Sequence, residues 1–136
     1  MKFDRRLTDE IYTSDTVKLG KDAFQAMQNT IYHNGGVGTI TGYYDAELSI
    51  LSVSDLLLHN LNHSYESLME QTKSSLKNLF YKRDATFLDN ARFRQIKGEG
   101  EGRILTADGS PVYVRLYKED AVDTDGTPIW IMSVQM

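Results

Sequence analysis

The sequence predicts an α+β fold: a five-stranded antiparallel sheet with short helices on one face and an N-terminal helix on the other. Three observations carry this expectation. From Gly98 to Met136 the chain reads as three consecutive strands, 99–106, 111–121 and 129–135, separated by Ala107-Asp108-Gly109-Ser110 and Asp123-Thr124-Asp125-Gly126. Asp-Gly between apolar runs is a strong hairpin signal, because glycine accepts the positive φ of such turns and aspartate bonds the nearby backbone. Second, alternation makes both faces of this meander apolar. It assigns Ile104, Val112, Val114, Leu116, Ile129, Ile131 and Ser133 to one face, and Leu105, Tyr113, Arg115, Tyr117, Trp130, Met132 and Val134 to the other. Exposing either would cost about 25 cal/mol per Å² of apolar surface, so the sheet needs two covers. Third, the preceding chain supplies one helix, two short strands and a run of small helices, enough to complete the sheet and wrap it.

Taken in order, Met1 to Ser14 mixes charges with scattered apolar residues and reads as a loosely held lead-in. A helix follows, capped by Ser14 or Asp15 and stopped at Asn34-Gly35-Gly36. Val17, Phe24 and Ile31 recur every seven residues with Met27 on the same side, a seam too short to hold a coiled coil alone. It suits either docking across the sheet or pairing with its own copy. Residues 1–36 are therefore set apart as lead-in and capping or dimerisation helix, and 37–136 as the core domain. Thr39 to Tyr44 and Leu48 to Val53 read as two strands around a tight turn. Ser54 or Asp55 caps a helix with Leu56, Leu57, Leu58 and Leu61; a second begins at Ser64 or Ser67; a third holds Leu76, Leu79 and Phe80. Asp84 is placed as the cap of a fourth, containing Phe87, Leu88, Ala91, Phe93 and Ile96 and ended by Gly98.

Composition narrows the function. At 136 residues, with 40% hydrophobic and 25% charged residues, the chain is sized for one globular domain with a proper core. A net charge of −4 argues against nucleic acid, which rewards a basic surface. The absence of cysteine removes disulfides, thiolate nucleophiles and cysteine-based metal sites, and fits a cytoplasmic location. No apolar run approaches the roughly 18 residues of a membrane span, so no membrane contact is expected from this segment.

The motifs resemble those of PAS domains. The matching stretches are Tyr43-Tyr44-Asp45 and Leu48 to Asp55 for the opening hairpin and first small helix, Leu61-Asn62-His63-Ser64-Tyr65-Glu66-Ser67-Leu68, and Tyr81-Lys82-Arg83-Asp84 before the long helix. Arg103 to Val114 and Asp125-Gly126 match the closing hairpins. Many relatives carry Leu-Gly-Tyr where this chain has Leu61-Asn62-His63. The tail Trp130-Ile131-Met132-Ser133-Val134 resembles PAS modules that precede GGDEF diguanylate cyclase domains in bacteria. The resemblance implies a non-catalytic sensory or regulatory module, a pocket between inner sheet face and short helices, a homodimer, and a downstream effector domain in a longer chain. The signal helix would carry Val17, Phe24, Met27 and Ile31.

Candidate chemistry is sparse. His59 and His63 stand four apart, as two ligands on one helical face would, but no third ligand is evident and no metal is expected. Haem-binding relatives place a histidine on the long helix or adjoining strand, and Asp84 to Gly98 contains none; photoactive flavin relatives need a cysteine that this chain lacks. Neither cofactor is expected. Gly98-Glu99-Gly100-Glu101-Gly102 reads as a helix stop and a flexible or bulged strand start, not as a phosphate cradle. The pocket is assigned to Tyr43, Leu56, Leu61, Tyr65, Leu68, Phe87, Ile104, Val114, Leu116, Ile131 and Ser133. These side chains either fill the space or leave room for an unknown small ligand, and their bulk tilts the reading toward a filled core. Three functions stay open: a ligand sensor, a carrier or small enzyme on a curved sheet, and a ligand-free structural adaptor.

Overall fold

A computed structural model describes residues 11–13, 19–35, 38–84 and 90–136. In order these form β1 (Ile11–Thr13), α1 (Lys21–Asn34), β2 (Gly38–Tyr43), β3 (Ile50–Ser54), α2 (Asp55–Asn60), α3 (Tyr65–Thr72), a 3-10 turn at Leu76–Asn78, α4 (Asn90–Gln95), β4 (Gly98–Leu105), β5 (Pro111–Val122) and β6 (Pro128–Gln135). The five predicted strands join in a single antiparallel sheet, in which β2 lies against β6 and so unites the opening pair with the closing three. The spatial order is β1-β3-β2-β6-β5-β4. The sixth strand is a correction: Ile11–Thr13, read as lead-in, pairs with Thr13 opposite Ser52 and Ile11 opposite Ser54.

Local chemistry explains the turns and caps. Gly109 and Gly126 sit at φ 84° and 80°, the left-handed backbone that glycine alone adopts without strain. Asp123 Oδ1 accepts the amides of Asp125 and Thr127, each at 2.9 Å, closing the β5–β6 hairpin. Ser54 caps α2, and Ser64 caps α3 through a reciprocal bond with Ser67. The predicted third helix shrinks to the 3-10 turn, since Phe80 leaves it to bridge Ile104. Within the described residues α1 starts at Lys21 behind a Gly20 cap, well after the expected Ser14 or Asp15, which lie outside them. It ends as expected, with Gly35 left-handed at φ 58°. The expected Asp84 cap also adjoins residues outside the description. Asp84 binds the Arg103 guanidinium and amide, at 2.9 and 3.0 Å.

The sheet has its two covers, but the faces of β6 are exchanged relative to the sequence reading. The five-residue connection 123–127 sets Leu116 opposite Val134 and Lys118 opposite Met132, and a one-residue slip in counting moves every side chain to the other face. Trp130, Met132 and Val134 therefore join Val114 and Leu116 in the inner core, with Leu57, Leu58, Leu61, Leu68, Leu76, Leu79 and Phe93 from the helical side. Ile129 and Ile131 face α1, packing on Ala23, Ala26, Met27 and the bulged Leu51. This second core is smaller and more polar. Thr41 and Ser52 share a 2.6 Å hydroxyl bond there, and Ser133 Oγ donates to the Thr30 carbonyl at 2.9 Å.

Candidate functional site

Strand β4 creates the site by what it omits. Its register with β5 puts Gly98, Gly100 and Gly102 opposite Lys118, Leu116 and Val114, all on the inner face, while Glu99 and Glu101 stand opposite Tyr117 and Arg115 on the outer one. Gly98 is left-handed at φ 79°, as a helix stop requires, and from it the Gly-Glu-Gly-Glu-Gly tract pairs with β5 without the bulge offered as one reading of its start, leaving a bare inner wall. A Cβ added at Gly100 would meet no atom within 4 Å.

Over this wall the chain leaves a cavity of about 210 Å³, roofed by Phe93 and Ile96 and floored by Leu116, Lys118 and Met132. The filled core that the sequence suggested is therefore interrupted at one end. Other hollows, of about 310 Å³ beside Tyr44 and Arg94 and about 270 Å³ beside Asn34 and Arg115, are lined mainly by exposed or half-buried residues.

Lys118 is the chemically unusual member. It follows Val112, Val114 and Leu116 on the inner face and is only 1% exposed. A buried ammonium must be paired. Its Nζ donates to the Ile96 carbonyl and to Asp120 Oδ1, both at 3.0 Å, and lies 5.0 Å from the ring centres of Phe93 and Tyr44. Desolvation pulls its pKa down, opposed by Asp120. The same Asp120 oxygen accepts the Tyr44 hydroxyl, whose pKa is pushed up by burial first and by that bond second. The Arg94 guanidinium sits 4.7 Å over the Tyr44 ring. The result is an apolar chamber with one cationic corner, tied through a carboxylate and a phenol to the surface.

The predicted pocket residues divide. Leu61, Tyr65, Leu68, Ile104, Val114 and Leu116 come together in the inner core, and Leu116 lines the cavity. Ile131, Ser133 and Tyr43 lie on the opposite face, Tyr43 packing beneath α1 and donating to Asp123. Leu56 points outward from α2, 44% exposed, because Leu57 and Leu58 take the buried side of that turn. Phe87 and Val17 lie outside the described residues. Of the signal-helix residues, Met27 and Ile31 are buried against the sheet while Phe24 is 48% exposed. His59 is exposed and His63 buried, with its Nδ1 2.7 Å from Ser67 Oγ; among the described residues no three metal-ligating side chains gather.

Sequence reasoning missed Lys118, Met132, Phe93 and the glycine wall as one site. The signals were present: a lysine on the parity of three inward apolar residues, and glycines at every second position of a strand.

No family model matches the sequence, and no curated protein matches it. Among solved structures, the PAS domain of an HTR-like protein from Haloarcula marismortui is similar, with a TM-score of 0.57 and 14% identity over 82% of this chain and 96% of that one. The blue-light photoreceptor Vivid, in its photo-excited state, gives a TM-score of 0.53 and 11% identity over 74% of this chain and 78% of that one. At such identities the likeness is one of architecture, and it shows that the chain has a PAS-like fold.

Proposed function

We propose that the chain is a cytoplasmic sensory module without catalysis of its own, in which a small molecule enters the cavity beneath Phe93 and Ile96 and its presence is read out through α1. One observation carries this reading: β6 serves both places at once. Met132 lines the cavity, while its neighbours Ile131 and Ser133 hold α1 on the other side of the same strand. A ligand that displaces Met132 therefore acts on residues adjoining the α1 contacts. The α1 interface is suited to shift, since two alanines and a hydroxyl bond from Ser133 form part of it. Self-association through α1 belongs to the proposal, favoured by Phe24 and by Tyr32, which is 75% exposed. So does a downstream effector, a GGDEF diguanylate cyclase being the one that the resemblance of the tail suggests.

The test is native mass spectrometry of freshly purified protein beside Gly100→Leu, which places a side chain in the empty space over β4. A non-covalent adduct on the wild type that the variant loses is the expected result. Bare masses for both proteins, with α1 amide exchange unaltered by the substitution, would overturn the reading.

A further inference from the structure

We propose that the cavity takes a small apolar monocarboxylate, its carboxylate bonded to Lys118 Nζ and its hydrocarbon body set against Phe93, Leu116 and Met132; this rests on the reading of that cavity as the ligand site.

Size comes first. Apolar cavities of about 150 Å³ admit benzene, so about 210 Å³ accommodates a single ring or short chain with a carboxylate attached. The lining then calls for hydrocarbon over most of the ligand and one polar anchor. That anchor is Lys118, the one charged side chain lining the cavity that is buried. An ammonium carries three donors, and protein acceptors at 3.0 Å take two of them, the Ile96 carbonyl and Asp120. The third is left for a ligand oxygen. Charge points the same way. Arg94 and Lys97 act on Lys118 as like charges, with Asp120 as the opposing carboxylate. Glu99 and Glu101 contribute β4 backbone to the lining, but their side chains take the outer face, where Glu101 accepts the Tyr113 hydroxyl. Neither Arg94 nor Lys97 lines the cavity, but around Lys118 itself they add two like charges against the single carboxylate of Asp120, an excess that a monoanion bound to Lys118 reduces. A cationic ligand would meet that excess directly. Asp120 competes for the second ligand oxygen: one carboxylate oxygen takes the third donor, and because the Asp120 side chain is 36% exposed it can turn toward water and yield its donor on Lys118 to the other.

The experiment is isothermal titration calorimetry of the whole chain with phenylacetate, phenylacetamide and toluene, on wild type, Lys118→Met, Asp120→Asn and Gly100→Leu. Charge-assisted hydrogen bonds are roughly twice as strong as neutral ones, so phenylacetate should bind wild type about tenfold tighter than phenylacetamide. Lys118→Met should erase that margin and keep toluene binding. Asp120→Asn, which removes the competing carboxylate, should tighten phenylacetate. Equal binding of acid and amide, a margin that survives Lys118→Met, or no gain in Asp120→Asn would overturn the carboxylate assignment, while toluene binding lost in Gly100→Leu would leave the cavity standing as a ligand site. Failure of all three compounds to bind wild type would overturn both.

Discussion

The indole of Trp130 lies on the bare backbone of Gly42, its cross-strand partner: a Cβ at residue 42 would stand 2.2 Å from Trp130 Cζ2 and 2.2 Å from the Ser49 carbonyl oxygen. The ring is fixed there by its Nε1 donating to the Tyr43 carbonyl at 2.9 Å and by Phe93 meeting it edge-on at 5.6 Å. Backbone on one side and a fully buried aromatic on the other leave nothing that yields easily. Gly42→Ala should therefore cost about 1–3 kcal/mol, the usual penalty of overpacking, measured by urea unfolding. An unchanged midpoint would mean that Trp130 has another rotamer open to it.

His63 should make the protein acid-sensitive. Burial lowers its pKa below the ordinary 6.5, so the folded chain binds fewer protons there than the unfolded one. Its contribution is fully present above pH 6.5 and declines as pH falls through the lower folded value. Thermal unfolding between pH 7.5 and 5 should show this fall, and His63→Asn should flatten it.

Glu119 should act in the opposite sense. Its Oε2 is buried without a hydrogen-bond partner among the described residues, and desolvation raises its pKa, opposed by His33 of α1. The ionised form is then a burden at neutral pH, relieved as pH falls through the raised value. Glu119→Gln should raise the melting temperature at pH 7.5, with the gap to wild type narrowing toward pH 4.5. A lower melting temperature for the variant at both pH values would show the carboxylate to be well solvated.

Self-association is open to a direct check at Phe24. Because this ring is 48% exposed, Phe24→Asp should leave folding stability within about 0.5 kcal/mol. Light scattering should show a dimer for wild type and a monomer for the variant. A wild type that stays monomeric at high concentration would remove the dimer from the proposed function.

The sequence made most of the architecture readable because its signals are local. Asp108-Gly109 and Asp125-Gly126 announce both hairpins, Ser54 and Ser64 announce helix starts, and Asn34-Gly35 ends α1 where expected. Facing was harder. Tyr117 meets Ser133 only through the register that the 123–127 connection imposes, and that register is a tertiary property. The same slip sent Ile131 and Ser133 to the wrong side and hid Trp130 from the inner core. The candidate site was obscured for a different reason: half of it is absence, glycines facing inward, and its cation looks like any solvated lysine until Asp120, Tyr44 and Ile96 are seen around it. Strand β1 escaped because three residues carry too little pattern to read.

That short strand has a bearing on how the protein is handled. Ile50–Ser54 is buried along its whole length; Ser74 already takes the Ile50 amide, but with Ile11–Thr13 cut away the outer amides and carbonyls from Ser52 to Ser54 would lie open, an invitation to pairing with a neighbouring molecule. The amino-terminal residues thus serve as a selvedge, and shortened versions beginning at α1 should lose solubility before they lose their shape.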